Sequence, residues 1–194
     1  MIRARLLVPT PLICPRCEQQ GRYDPTADPF GLHAQVCPQA YGVTRRHHRL
    51  RDELLDLGYR RLGVPVHREE SFGRGREYAV DMYVPEARLG VDVSVMSPYC
   101  STVCRGFLAD TSGGPRGLAR REREKTAKYA TLAMMVPPVR TVGFAISSEG
   151  VLGPEASALL NERAVLYSTR SGPPLGWCRS HLRGRIILSA LLSN

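Results

Sequence analysis

The sequence lacks any long apolar run, any internal repeat and any long low-complexity tract. A helix that crosses a bilayer needs roughly 20 consecutive apolar residues, so the sequence argues against a membrane-spanning protein. The first twelve residues contain Arg3 and Arg5 but no apolar segment followed by a small-residue cleavage site. We therefore expect no secretory signal and an intracellular protein, nuclear or cytoplasmic.

Acidic residues are scarce relative to basic ones. The chain has 194 residues, with 27 Lys and Arg against 18 Asp and Glu, a net charge of +9 and a pI of about 9.6. This excess favours acidic partners, above all DNA and also RNA. The hydrophobic fraction of 43% is large enough for a folded core, so we expect one medium domain with a small appendage.

Three cysteines and one histidine near the N-terminus have metal-ligand spacing. Cys14, Cys17, His33 and Cys37 form the pattern C-x2-C-x15-H-x3-C, a complete tetrahedral ligand set for zinc. The surrounding residues 1–42 are rich in proline and poor in core-forming residues, so a structural Zn²⁺ would stabilise them. The alternative is that these four residues never converge. Cys100, Cys104, Cys178 and His181 are interpreted as ordinary side chains rather than a second site.

Hydrophobic periodicity predicts the element order α-β-β-β-α-β-α followed by a C-terminal amphipathic stretch. The α/β (α+β) core begins with a helix over 44–58, in which Thr44 is the expected N-cap. Strands are predicted over 64–70, 78–84, 89–95 and 142–146, and helices over 116–135 and from 154 onward. We predict a zinc segment over 1–42, the main domain over 43–168 and a tail over 169–194.

The predicted hairpin brings two aspartates together. A turn over 85–88 pairs Val84 with Leu89, and the same register places Asp81 opposite Asp92. Val80, Val91 and Val93 would then point to the other face, into the core. Like charges directly opposite each other are destabilising, so a cation such as Mg²⁺ between them is one solution. The alternative is that both aspartates are solvated on an outer face.

A basic segment follows the cysteine-rich region. Arg45, Arg46, His47 and Arg49 lie on the first predicted helix and suit contacts with nucleic-acid phosphates. The alternative is a solvated helix face. Lys125 and Lys128, on the helix after the hairpin, are three residues apart and can share one face.

The ordered set of segments resembles the restriction-like endonuclease domain at the C-terminus of site-specific non-LTR retrotransposon polyproteins, next to their reverse transcriptase. The resemblance covers about residues 14–165. Its segments are 28–37 (DPFGLHAQVC), 44–52 (TRRHHRLRD), 80–81 with 91–95 (VD and VDVSV), 125–129 (KTAKY) and 152–156 (LGPEA).

This resemblance implies a restriction-endonuclease-like (PD-(D/E)xK) αβββαβ core with a small N-terminal zinc-binding segment. It also implies that Asp81 and Asp92 hold a catalytic Mg²⁺ or Mn²⁺, with Glu69 or Glu70 as a further acid, in a domain that nicks DNA. Ser94 stands where the family has a lysine, and Lys125 or Lys128 would replace it. No proline directly precedes Asp81. Two other functions stay open: a decayed, non-catalytic nucleic-acid-binding module and a zinc-stabilised protein-interaction domain.

Overall fold

The protein is a mixed α/β domain with a four-stranded sheet. The structure, a computed structural model, describes Cys17 and residues 41–72, 78–97, 116–135 and 137–191. In chain order, the elements are α1 (Tyr41–Gly58), β1 (His67–Ser71), β2 (Ala79–Val84), β3 (Leu89–Met96), α2 (Arg116–Lys128), β4 (Arg140–Ser147), α3 (Pro154–Ser171) and α4 (Leu175–Leu191). Short 3₁₀ turns follow α1 and α2, at Arg60–Leu62 and Ala130–Met134.

The predicted element order is confirmed. Several boundaries differ from the prediction, and the largest differences in the helices are at α1 and α2. Helix α1 begins at Tyr41, so Thr44 lies inside the helix and is not its N-cap. Helix α2 ends at Lys128 and a 3₁₀ turn continues to Met134, whereas the sequence predicts one helix to Met135.

The strands lie in the order β1-β2-β3-β4. The β1–β2 and β2–β3 pairs are antiparallel, and β4 runs parallel to β3, with α2 in the crossover between them as parallel pairing requires. Val84 pairs with Leu89 and Met82 with Val91, so the predicted register of the hairpin is confirmed at its turn.

Helices cover both faces of the sheet. The main core lies between one face and α1, α3 and α4, and includes Leu54, Val91, Phe144, Leu159 and Ile186. Helix α2 lies on the other face, where its backbone at Glu122 passes directly over Gly143; a Cβ at Gly143 would fall 2.5 Å from the Glu122 carbonyl oxygen. The predicted C-terminal amphipathic stretch is helix α4, whose Ile186 and Ala190 belong to the main core.

The strand pattern breaks at Asp81. Asp81 is absent from the β1–β2 ladder between the Arg68–Met82 and Glu70–Val80 pairs, and the β2–β3 ladder ends at Met82–Val91. On β1, Glu69 has a left-handed backbone with φ of 51°, which few residues other than glycine adopt. The register of β1 and β2 is the same on both sides of this position, so the irregularity is a local distortion of Glu69 and Asp81 without an inserted residue.

The break changes the face on which Val80 lies. Met82 and Val84 pack in the main core, but Val80 packs with Tyr129, Leu132 and Val139 on the α2 side. The prediction that Val80 shares a face with Met82, Val84, Val91 and Val93 is therefore wrong. Val91 and Val93 do point into the main core as predicted.

None of the described helices is long and apolar enough to cross a membrane.

Candidate active site

Asp92 is the centre of a polar cluster beneath α2. Its carboxylate is almost fully buried, and Lys125 Nζ lies 2.6 Å from its Oδ1 atom. Tyr129 Oη lies 2.6 Å from Asp92 Oδ2 and also 2.6 Å from the carbonyl oxygen of Ala79. The single hydroxyl proton of Tyr129 serves one of these acceptors at a time. Asp92 thus has one charged and one neutral partner, both supplied by the segment that follows the hairpin.

Tyr129 is a neutral donor at this site. Burial raises the pKa of its hydroxyl far above the ordinary value, and the hydrogen bond to Asp92 and the charges of Asp92 and Asp81 raise it further. Lys128 Nζ donates to Tyr129 Oη at 3.1 Å and lies 4.7 Å from the centre of its ring. Lys128 therefore reaches the cluster through Tyr129.

Each carboxylate oxygen of Asp81 has a hydrogen-bond partner. Its Oδ1 atom lies 3.0 Å from His47 Nε2 on α1, and its Oδ2 atom accepts a 2.7 Å hydrogen bond from the backbone N–H of Val93. Burial acts to raise the pKa of Asp81, but the hydrogen bond and charge of His47 and the Val93 N–H outweigh it, so the pKa is lowered. An ionised carboxylate only accepts hydrogen bonds, so His47 Nε2 carries the proton of this contact.

The two aspartates converge, but not as a regular cross-strand pair. Asp92 is near enough to influence the pKa of Asp81. Asp92 faces α2, whereas Asp81 reaches past the end of the ladder to Val93 and α1. The predicted direct pairing of Asp81 with Asp92 is absent, because the β2–β3 ladder ends one pair earlier, at Met82–Val91.

The donor set fits a hard cation. Mg²⁺ binds through one or two carboxylates and completes its shell with waters and substrate phosphate, and Asp81 and Asp92 provide two carboxylates at one place. Within the described ranges, no group of three or more His, Cys, Asp or Glu side chains has the arrangement of a metal site. The described side chains would therefore supply only part of such a coordination shell.

A buried glutamate holds α2 above Asp92. Glu122 accepts hydrogen bonds from the backbone N–H groups of Ala156 at 2.9 Å, Glu155 at 3.0 Å and Ala145 at 3.4 Å. Helix α3 begins after Gly153, which has no side chain to cap it, so Glu122 caps α3 from another helix. Lys125 lies three residues further along α2, and its position over Asp92 depends on this anchor.

Helix α1 contacts the distorted part of the sheet through two side chains one turn apart. His47 reaches Asp81, and Arg51 Nη1 donates to Glu69 Oε1 at 2.6 Å. Of the residues predicted to contact phosphates, Arg45 and Arg49 are exposed, His47 is half-buried and Arg46 is buried at 4% exposure. Arg46 is therefore not an exposed contact for phosphate, in contrast to the prediction.

Glu70, the other acid predicted for the site, has a partner away from the two aspartates. Glu70 Oε2 lies 3.2 Å from His67 Nδ1 on the edge strand, and the contacts described for it do not include Asp81 or Asp92.

The structure describes only one of the four predicted zinc ligands. Cys17 is buried, while Cys14, His33 and Cys37 lie outside the described residues, as do Cys100 and Cys104. Cys178 packs against α1 and α3, and His181 stacks on Trp177.

Sequence reasoning missed the roles of Tyr129 and His47 at this site. Tyr129 had no predicted role at the site, and His47 was expected on a phosphate-binding helix face. The spacing of Lys125 and Tyr129, four residues apart, was the one sequence signal that could have linked Tyr129 to Asp92, since such residues share a helix face. No comparable signal links His47 to Asp81, because their contact depends on how α1 packs on the sheet.

Comparison of the chain with protein-family models, with curated proteins and with solved structures found no match.

Proposed function

We propose that this domain is a metal-dependent endonuclease that nicks DNA, with a core of the restriction-endonuclease type as found in non-LTR retrotransposon polyproteins. The observation that carries the proposal is the 2.6 Å contact between Lys125 and Asp92. A nuclease of this type needs a cation beside the second acid, and Ser94 cannot provide it. Lys125, from the following helix, supplies the charge at that place.

Each residue of the cluster has a task in this proposal. Asp81 and Asp92 would hold Mg²⁺ or Mn²⁺, and a bound metal of this kind supplies an activated water and neutralises charge on the phosphate. Lys125 would donate to the phosphate oxygen that gains charge in the transition state. Tyr129 orients Asp92 by its hydroxyl, and His47 keeps Asp81 ionised and fixed.

The second candidate is a non-catalytic nucleic-acid-binding module with a structural zinc. One observation favours it: both carboxylates already have side-chain partners, Asp81 with His47 and Asp92 with Lys125. A metal must compete with these partners. Under this alternative, the pairs are structural and the basic charge of the chain serves binding alone. Under either candidate function, we propose that Cys14, Cys17, His33 and Cys37 bind a structural zinc.

A plasmid assay separates the two candidates. Supercoiled DNA is incubated with the full chain and Mg²⁺ or Mn²⁺, and wild type is compared with Asp92→Asn, Asp81→Asn and the control Asp56→Asn. Asp56 is an exposed carboxylate on α1 that pairs with Arg61, so its variant loses the same charge away from the cluster. The nuclease proposal requires nicking by wild type and Asp56→Asn and at least a 100-fold loss in the other two. Binding of duplex without nicking by any variant supports the binding module.

A further inference from the structure

Ser94 and Arg121 form a second polar pair beside the Asp92–Lys125 pair. Arg121 Nε lies 3.4 Å from Ser94 Oγ. Ser94 is buried at 8% exposure, whereas 41% of the Arg121 side chain is exposed. The hydroxyl therefore contacts a guanidinium group that is partly exposed to solvent.

The two pairs lie side by side between β3 and α2. Asp92 and Ser94 are two residues apart on a strand, a separation of roughly 6.6 Å. Lys125 and Arg121 are four residues apart on a helix, which corresponds to about 6 Å. Because the two spacings match, α2 places a second cation next to Lys125 on the same side of β3. Lys128 continues this row at the other end, where it contacts Tyr129.

The contacts of Arg121 leave it able to bind an anion. Its Nε and Nη1 atoms contact Ser94 and Glu124 at 3.4 Å each, near the outer limit of a hydrogen bond. Glu124 is exposed and has a shorter 2.9 Å contact with Arg120 Nε. Exposed ion pairs of this kind contribute little stability, so a phosphate can replace Glu124 at Arg121.

We infer that Arg121, oriented by Ser94, binds a backbone phosphate of the DNA strand next to the phosphate that Lys125 faces. This inference rests on the proposed function and adds a substrate-binding site to it. The planar guanidinium of arginine binds two phosphate oxygens at once, which suits a group that positions a strand. Ser94 thereby has a binding role in place of the lysine expected at its position.

The test uses the full chain, a 30-base-pair duplex and EDTA, so that binding is measured without cleavage. Arg121→Ala is compared with Arg120→Ala. Arg120 is the matched control, because it loses the same charge and the same partner, Glu124, one residue away, and is 78% exposed. We expect Arg121→Ala to bind about tenfold more weakly than Arg120→Ala, with the slope of log K against log salt reduced by about one between 50 and 200 mM salt.

Two further variants test the orientation by Ser94. Arg121→Lys keeps the charge but loses the planar fork, so it should retain the salt slope and still lose affinity. Ser94→Ala should weaken binding in the wild-type background and have no effect in the Arg121→Ala background. Thermal melting of each variant checks that its fold is intact.

Equal affinity and equal salt slope for Arg121→Ala and Arg120→Ala would overturn the inference, as would a wild-type chain that does not bind the duplex at 50 mM salt. An effect of Ser94→Ala that is independent of Arg121 would remove the orienting role. These outcomes are distinct from failure of the nuclease proposal, in which wild type binds the duplex and Arg121→Ala weakens binding, but no chain nicks plasmid with Mg²⁺ or Mn²⁺.

Discussion

Lys125 Nζ and Asp92 Oδ1 lie 2.6 Å apart and join α2 to the central strand β3. Asp92 is nearly fully buried and Lys125 is largely so, with side-chain exposures of 7% and 20%. Water screens such a pair less than it screens a surface ion pair. The contact therefore bears on both the stability of the domain and the chemistry proposed for it.

Replacement of Lys125 by Ala should lower both stability and activity. The change leaves the Asp92 carboxylate buried without its cation, which costs about 1–3 kcal/mol of unfolding free energy, and it removes the charge proposed to face the phosphate. We expect nicking to fall roughly 100-fold or more. Denaturant unfolding and the plasmid assay measure the two effects. Arg123→Ala, which removes an exposed positive charge from the same helix, is the control. A Lys125→Ala variant with wild-type stability and nicking would contradict the role of the pair.

Two tyrosines should resist ionisation in alkali. Burial, opposed by the charge of Arg163, raises the pKa of Tyr59 to about 12, and burial together with the hydrogen bond to Asp92 raises that of Tyr129 further. Ultraviolet absorbance at pH 11 should therefore report fewer tyrosinates in the folded protein than in the guanidinium-unfolded chain, where all eight titrate near pH 10.

The variants Tyr59→Phe and Tyr129→Phe assign this difference. Each should leave the tyrosinate absorbance of the folded protein at pH 11 unchanged and reduce that of the unfolded chain by one tyrosine. Tyr129→Phe should also cost about 1 kcal/mol of unfolding free energy, since it removes the hydrogen bond to Asp92. Loss of one tyrosinate from the folded protein in Tyr129→Phe would show that the hydroxyl is not buried against Asp92.

Much of the strand arrangement is predictable from the sequence, but the break at Asp81 is not. The alternation of Val91, Val93 and Val95 and the four-residue turn after Val84 fix the hairpin register near the turn. The same alternation, extended to Val80, places that residue on the wrong face. On the neighbouring strand, opposite the break, Glu69 adopts a left-handed backbone and pairs with Arg51. The pattern of residues 78–84 does not predict this distortion.

The partners of the candidate site depend on packing between distant segments. Lys125 was a candidate because of its charge and its place on the helix after the hairpin. Its selection over Lys128 as the direct partner of Asp92 depends on the register of α2, which Gly143 and the hydrogen bonds of Glu122 set. Likewise, the exposure of Arg45 and the burial of Arg46, adjacent on α1, depend on which side of the helix is covered.

The Asp81–His47 contact predicts an acid-sensitive contribution to stability. The pKa of Asp81 is lower in the folded protein than in the unfolded chain, where aspartate titrates near pH 3.9. As the pH falls below about 4, the unfolded chain therefore binds more protons than the folded protein, and stability decreases. The contribution is present above that range and is lost as the pH falls through the folded-state pKa.

Denaturant unfolding between pH 2 and 7 measures this contribution. Asp81→Asn should give a flatter dependence of unfolding free energy on pH in the acid range than wild type. Asp56→Asn, which removes an exposed carboxylate of α1, controls for the loss of one negative charge. Equal flattening in the two variants would show that Asp81 has no special stabilisation from His47 and Val93.

Zinc binding by the N-terminal segment is a separate prediction. The full chain, purified without chelator, should contain one equivalent of zinc by elemental analysis, because Cys14, Cys17, His33 and Cys37 complete one tetrahedral set. Cys14→Ser with Cys37→Ser should lose that equivalent. Cys100→Ser with Cys104→Ser is the matched control and should retain it. Zinc that persists in the first double variant would exclude this ligand set.

Glu122 should contribute more to stability than any exposed glutamate of α2. Glu122→Ala leaves three backbone N–H groups near the start of α3 without their acceptor and opens a cavity under Gly153. Each unsatisfied buried group costs about 1–3 kcal/mol, so we expect a loss of roughly 3 kcal/mol or more in unfolding free energy. Glu122→Gln keeps one acceptor oxygen and should lose less.

The control for Glu122 is Glu124→Ala, which removes an exposed carboxylate two residues along the same helix and should change stability by no more than about 0.5 kcal/mol. Activity gives a second readout, because Glu122 sets the position of Lys125. Under conditions in which Glu122→Gln is fully folded, the variant should still show reduced nicking. Equal losses of stability in Glu122→Ala and Glu124→Ala would mean that the cap on α3 does not hold α2 in place over Asp92.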